Sequence, residues 1–138
     1  MKISYNNIMA IDEAMALITD AKGRVGYAVY KNRKNLSPFI SDVYHTRDLI
    51  IQELGEQDPE NEGRYYIRRD DKENIDKLTE KLKEKLEESV DVDLYQIDRA
   101  DWDEFYDENL SAENYTLLEI VLVKADIPEN AQDKGEVE

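Results

Sequence analysis

Residues 26–55 read GYAVYKNRKNLSPFISDVYHTRDLIIQELG, and they decide the fold because one repeating pattern runs through the whole stretch. Apolar side chains recur at steps that are sums of three and four, the period of an α-helix, at Val25, Val29, Leu36, Ile40, Val43, Ile50 and Leu54. The pattern predicts one long helix that bends at Pro38, because proline removes a backbone donor and clashes with the preceding turn. The alternative is a strand over 25–29 and a helix that begins at Ser37, since serine suits an N-cap and proline the first helical position.

The segments on either side of this stretch predict three more helices. Apolar residues at helical spacing place them over 8–20, 71–88 and 111–123. Side chains that suit an N-cap stand at the start of each, namely Asn6 or Asn7, Asp70 or Asp71, and Ser111. Residues 98–109 are a further, shorter helix candidate with Trp102, Phe105 and Tyr106 on one face.

Two segments predict strands. Residues 65–67 are a short aromatic and apolar run, and residues 90–97 alternate between apolar and acidic side chains, as a half-buried strand does. We expect the two to pair, because an isolated strand leaves its backbone groups without partners. The predicted fold is therefore helix-rich α+β, with a long central helix, two or three helices packed on it and a small β-sheet. Its predicted core comprises Ile11, Ile18, Val43, Ile50, Leu78, Leu82, Val92, Leu118 and Leu122.

A length of 138 residues suits one domain. We assign that domain to residues 1–125 and expect residues 126–138 to be an acidic, flexible C-terminal tail, because they hold few apolar side chains. The N-terminal segment MKISYNN has no apolar signal region, and the longest apolar run of the C-terminal half, residues 120–123, is far shorter than a membrane span. We therefore expect no membrane partner.

The residue types that carry catalysis and metal binding are scarce. The chain has no cysteine and one histidine, His45, so no catalytic pair or transition-metal site can be built from these residues. The glycines form no phosphate-binding loop, and the acidic residues near 91–107 lack the glycine of a calcium loop. The sequence thus predicts a protein that is not an enzyme and has no cofactor and no metal site.

The negative charge lies almost entirely in the C-terminal part of the sequence. Residues 1–86 hold 15 Lys/Arg and 16 Asp/Glu, a net charge of −1, whereas residues 87–138 hold 3 and 17, a net charge of −14. Such a block repels nucleic acid and anionic membranes, so we expect no direct nucleic-acid binding. It attracts a basic protein surface, although an acidic surface also keeps a small protein soluble.

The predicted partner-binding site lies in this acidic part, where aromatic side chains are interleaved with carboxylates. Aromatic rings supply buried contact area at the centre of many interfaces, and surrounding charges steer the encounter. The alternative is that the rings pack in the core of their own domain. The predicted site residues are Asp98, Asp101, Trp102, Asp103, Glu104, Phe105, Asp107 and Glu108.

Four short motifs follow one another along the chain. They are Tyr27-Ala28 with Lys31-Asn32, then Gly63-Arg64-Tyr65-Tyr66-Ile67 after an acidic loop, Val92-Asp93-Leu94, and Leu110-Ser111-Ala112-Glu113. In this order, across residues 8–123, they resemble a loosely defined set of small phage- and prophage-encoded proteins of unknown function. The chain departs from that set at Ser37 and Pro38, where those proteins usually carry acidic residues. The resemblance implies a phage origin, a location in the cytoplasm of a bacterial host, and a fold rather than an activity.

These observations lead to three functional hypotheses. The first is a phage accessory protein that binds another protein with a basic surface, as an inhibitor of a host system or as an assembly component. The second is an acidic nucleic-acid mimic that blocks the DNA- or RNA-binding groove of a host defence or nucleic-acid-processing protein, with Asp101, Glu104 and Glu108 on one side of a helix. The third is the structural subunit of a homo-oligomer. Partner binding that weakens steeply with added salt would indicate the mimic, since DNA binding has that property.

Overall fold

The computed structural model describes residues 1–125, which form five helices and four short strands. The helices are α1 (Tyr5–Ala16), α2 (Gly23–Leu54), α3 (Lys72–Glu87), α4 (Arg99–Asp103) and α5 (Ala112–Leu122). The strands are β1 (Lys2–Ser4), β2 (Glu56–Gln57), β3 (Tyr65–Tyr66) and β4 (Ser89–Asp91). The predicted helix-rich α+β class with a long central helix is confirmed, and the predicted tail at 126–138 lies outside the described residues.

Helix α2 runs without interruption from Gly23 to Leu54, so the alternative of a strand over 25–29 is wrong. Its buried side chains recur at helical spacing and form one face, made of Val25, Ala28, Val29, Asn32, Leu36, Val43 and Ile50. Pro38 lies inside the helix on its exposed side. Water can therefore reach the backbone carbonyl that loses its partner there, which makes proline tolerable at this position. The expected bend at Pro38 stays a prediction.

Helix α1 begins three residues before the predicted start, because Ser4 and not an asparagine caps it. The Ser4 hydroxyl accepts a hydrogen bond from the backbone N–H of Asn7 at 3.2 Å. The helix also ends earlier than predicted, at Ala16. The other two caps are confirmed: Asp71 accepts from the N–H of Asn74, and Ser111 from that of Asn114.

The predicted pairing of residues 65–67 with residues 90–97 is wrong. Strand β3 pairs antiparallel with β2, and β4 pairs antiparallel with β1, which places Ile3 opposite Val90. The first pair closes over a short loop, which costs less chain entropy than the longer connection that the prediction required. The predicted strand over 90–97 ends early, because β4 covers only Ser89–Asp91. Beyond β4, Val92 and Ile97 are buried, but they lie five residues apart and so do not continue the alternation, and Ile97 forms a parallel bridge to Val123.

The core lies among α1, the first half of α2, α5 and the segment that joins β4 to α5. All but two of the predicted core residues are buried. The exceptions are Leu78 and Leu82, which are half-buried because α3 packs against α2 and α1 at the edge of the molecule. No helix within residues 1–125 has both the length and the apolar content needed to span a lipid bilayer.

Candidate functional site

The eight predicted site residues lie on α4, at its N-cap Asp98 and on the loop that follows the helix. Two side chains of this segment, Trp102 and Leu110, are buried and anchor it to the core. The backbone is fixed again at Asp107, whose N–H donates to the Tyr115 hydroxyl at 2.6 Å while its carbonyl accepts from that hydroxyl at 2.9 Å. The segment is therefore an ordered part of the domain surface.

The predicted helix over 98–109 is present only as Arg99–Asp103. The chain turns after Asp103, and Phe105 packs on the rings of Trp102 and Tyr115. The expected arrangement, with Asp101, Glu104 and Glu108 on one side of a single helix, is therefore wrong. The cause is tertiary, because the aromatic contacts are made in the core and outweigh the helical spacing of the carboxylates.

Two of the three aromatic side chains in this segment pack in their own domain. Trp102 is 6% exposed, its ring centroid lies 5.6 Å from that of Phe105, and it lies 6.1 Å from that of Tyr115. Trp102 and Phe105 therefore pack against the core of their own domain, which is the alternative that the sequence left open. Tyr106 is different: at 80% exposed it is the most exposed large hydrophobic side chain in the described part of the chain.

Most of the carboxylates in the segment already have partners in their own chain. Asp98 pairs with Lys124 at 3.2 Å, and Asp101 pairs with Arg24 at 3.7 Å. Arg99 lies 4.0 Å from Asp103 and 2.9 Å from Glu119. Asp107 accepts a hydrogen bond from the backbone N–H of Asn109 at 2.8 Å. These contacts lower the negative charge that the segment presents to a partner.

Glu104 and Glu108 remain. Both are exposed, and the side chain of neither makes an ion pair or a hydrogen bond with any residue among 1–125. They flank Tyr106 in sequence at two residues on either side. We call these three residues, Glu104, Tyr106 and Glu108, the α4 patch.

An open cleft of about 600 Å³ separates the α4 segment from the turn between α1 and α2. The turn is tight: Gly23 has φ +67°, and a Cβ at Gly26 would overlap the carbonyl oxygen of Ala21. The ion pair of Arg24 with Asp101 joins the two walls. The cleft carries charges of both signs, so it suits contact with a protein surface better than a small ion of one sign.

A buried polar residue that was not predicted from the sequence holds this region in place. Asn32 on α2 is 0% exposed, and its amide donates to the carbonyl of Tyr95 at 2.9 Å and accepts from the N–H of Tyr95 at 2.7 Å. The segment between β4 and α4 is thereby fixed to α2. The signal was available, because position 32 falls on the apolar face between Val29 and Leu36.

A second set of side chains that was not predicted from the sequence joins three helices. The Asp42 carboxylate on α2 accepts hydrogen bonds from the Tyr5 hydroxyl on α1 at 2.7 Å and from Nζ of Lys85 on α3 at 2.8 Å. These two donors, Lys85 first, lower the pKa of Asp42. The same contact with Asp42 raises the pKa of Lys85 and the pKa of Tyr5. No sequence pattern pairs residues this far apart along the chain.

Metal binding and His45 add nothing to the candidate site. Among the residues that the structure describes, no three His, Asp or Glu side chains converge closely enough to hold a metal ion. His45 is exposed on α2, in a shallow cleft beside the β2–β3 hairpin.

No protein-family model matches this chain, and neither a curated protein nor a solved structure does so.

Proposed function

We propose that this chain is a non-enzymatic protein that acts by binding another protein with a basic surface, through the α4 patch. The observation that carries the proposal is the exposure of Tyr106 beside two carboxylates that have no partner among residues 1–125. An exposed ring removes a large apolar area from water when a partner covers it, and tyrosine is one of the residues that contribute most binding energy in interfaces.

The charges of the α4 patch support a basic partner. Glu104 and Glu108 lie in the part of the chain that carries a net charge of −14. A field of this sign accelerates the encounter with a positive surface and slows the encounter with a negative one. Since Asp98, Asp101 and Asp103 pair within the chain, the steering charge that is left on the segment lies close to Tyr106.

The resemblance to phage-encoded proteins suggests the biological setting. We propose that the protein acts in the cytoplasm of a bacterial host, as an inhibitor of a host system or as an assembly component. Both roles require a stable contact with another protein and neither requires turnover.

Protein binding is preferred to nucleic-acid mimicry for a specific reason. A mimic needs a row of carboxylates that imitates successive phosphates. Here α4 ends at Asp103, and three of the six carboxylates in 98–108 are paired with cations of their own chain. The α4 patch presents two free carboxylates around a ring, which is the pattern of an interface centre and its charged rim.

The test uses variants of the full chain with matched controls. Glu104→Gln with Glu108→Gln removes the charges of the patch, and Glu80→Gln with Glu84→Gln removes two exposed glutamates of α3 that also lack partners among residues 1–125. Tyr106→Ser removes the ring, and Tyr44→Ser removes an exposed ring on α2. The partner is captured from bacterial lysate with the tagged wild-type chain, and its binding kinetics are then measured with the purified proteins.

We expect the patch charge variant to associate several-fold more slowly and with a flatter salt dependence, because steering acts on association. Tyr106→Ser should dissociate about tenfold faster or more, as loss of an interface anchor does. Both control variants should bind as the wild type does. If the patch variants bind with wild-type kinetics and wild-type stability, the α4 patch is not the binding surface and the proposal is wrong.

A further inference from the structure

The segment 21–41 differs in charge from the rest of the chain. It is the longest run without Asp or Glu, and it contains five cations, Lys22, Arg24, Lys31, Arg33 and Lys34. In a protein with a net charge of −15, this makes the first half of α2 a local positive surface.

Two of these cations are free to meet a partner on one face of α2. Arg33 pairs with Asp12 at 3.0 Å and Arg24 pairs with Asp101, whereas Lys31 and Lys34 make no ion pair with any residue among 1–125. They share their face with two exposed rings, since positions 27, 30, 31 and 34 follow the i, i+3, i+4, i+7 spacing of one helix side. We call Tyr27, Tyr30, Lys31 and Lys34 the basic face, in which Tyr30 is 63% exposed.

The α4 patch lies close to the start of the basic face, because Glu104 and Tyr106 line the same cleft as Arg24. Arg24 stands one turn before Tyr27 on the same side of α2, and its side chain reaches Asp101 on α4. Lys31 follows Arg24 by seven residues, which is about 10 Å along a helix axis. An acidic patch and a basic face are therefore neighbours along the first half of α2.

We propose that two copies of this chain associate about a two-fold axis, with the α4 patch of each copy on the basic face of the other. The proposal rests on the proposed function, because it takes the α4 patch as a binding surface, and it names a second copy as a basic partner for that surface. A two-fold axis reverses the order of the two neighbouring surfaces, so both acidic–basic contacts form at once and the assembly closes as a dimer.

Charge complementarity favours a second copy over a polyanion such as nucleic acid. A phosphate backbone that approached Lys31 and Lys34 would also meet the adjacent carboxylates of the α4 patch and would be repelled by them. A suitable partner must place a base opposite the acid and an acid opposite the base. The same chain, turned by a two-fold axis, does so with three exposed tyrosine rings at each contact.

The test is a reciprocal charge swap on the full chain, read by sedimentation equilibrium at about 0.1 M salt, where long-range repulsion is screened over about 10 Å. The patch swap is Glu104→Lys with Glu108→Lys, and the face swap is Lys31→Glu with Lys34→Glu. We expect the wild type to dimerise and each swap alone to dimerise about tenfold more weakly or worse, the effect of about 1.4 kcal/mol. An equimolar mixture of the two swaps should recover wild-type dimerisation, because every contact in the mixed dimer again joins opposite charges.

For the patch swap, net charge alone predicts stronger dimerisation and not weaker, which makes the result for that variant decisive. The patch swap moves the net charge from −15 to −11, since each Glu→Lys change adds two positive charges, so weaker general repulsion would strengthen association. The matched control Glu80→Lys with Glu84→Lys has the same net charge and should dimerise at least as well as the wild type.

A second face variant covers the case in which the face swap unfolds, since Lys31 is half-buried. It is Tyr30→Ser with Lys34→Glu, and both of these residues are exposed.

A wild-type chain that stays monomeric across the concentration range overturns the proposal, as does a mixture that fails to recover the dimer. These outcomes are separable from failure of the proposed function. The face variants free the α4 patch from the second copy, so they should capture the host protein at least as well as the wild type, whereas the α4 patch variants report on that capture directly.

Discussion

The side chain of Asp42 connects three helices, and its lowered pKa predicts how the stability of the fold depends on pH. Its carboxylate is hydrogen-bonded to Lys85 and Tyr5, which lowers its pKa from the ordinary value of 3.8. A lowered pKa stabilises the folded state above the ordinary pKa, and that contribution is lost as pH falls through the lowered pKa. Lys85 and Tyr5 behave in the opposite sense, because their pKa values are raised from 10.5 and 10.0. Their contribution is complete below those values and is lost as pH rises through the raised ones.

We therefore expect Asp42→Asn to be less stable than the wild type by a constant amount across neutral pH. The difference should shrink in acid below pH 3.8 and again in alkali above about pH 10, which urea unfolding at a series of pH values would measure. Asp76→Asn is the control, because the Asp76 side chain is exposed and makes no hydrogen bond or ion pair with residues 1–125. A difference that stays the same in strong acid would show that the carboxylate charge of Asp42 is not what stabilises the fold.

Among the elements, α5 and α3 differ in how far their apolar stripes are buried. Leu118 on α5 is 0% exposed, whereas Leu82 on α3 is half-buried. Leu118→Ala should therefore cost about 2–5 kcal/mol of unfolding free energy, because it leaves a cavity in the core. Leu82→Ala should cost about 1 kcal/mol, since water can fill part of the space. Urea unfolding of the two variants compares one substitution in two helices. An equal cost at both sites would place α3 in the core after all.

The helices were predictable from sequence because local spacing determines them. The stripes of α2, α3 and α5 and the caps at Asp71 and Ser111 are properties of neighbouring residues, and the structure agrees with them. Strand pairing was not predictable, because β2 and β4 are only two and three residues long. Strands this short carry too little sequence pattern to specify which other segment pairs with them. The cap at Ser4 was missed since β1 was missed, and the two elements follow each other directly.

The candidate site was predictable in part. The acidic and aromatic composition of 98–108 could be seen in the sequence, and the exposed Tyr106 with Glu104 and Glu108 lies within it. The sequence does not show which carboxylates are neutralised, because Arg24 and Lys124 reach the segment from α2 and from beyond α5. Nor does it show that Trp102 turns inward, since that depends on Tyr115 lying across from it.

At the scale of the whole molecule, charge opposes the fold that the core stabilises. Acidic residues outnumber basic ones by 33 to 18, so the net effect of bringing the chain together is repulsion. Ion pairs such as Asp98 with Lys124 act in the other direction, but exposed pairs contribute about 0–1 kcal/mol each. The repulsion is the larger effect because every unpaired carboxylate repels all the others across the domain when little salt is present.

Added salt should therefore stabilise this protein. The Debye length is about 30 Å at 0.01 M salt and about 10 Å at 0.1 M, so repulsion that acts across the molecule in the first case is screened in the second. We expect Tm to rise by a few degrees over this range, measured by circular dichroism on dilute protein. The variant with Glu80, Glu84, Glu104 and Glu108 all changed to Gln has a net charge of −11, and none of these four residues has an ion-pair partner among residues 1–125. It should melt higher than the wild type at low salt and respond less to added salt. A Tm that falls with salt would mean that attraction between the paired charges exceeds the repulsion among the free carboxylates.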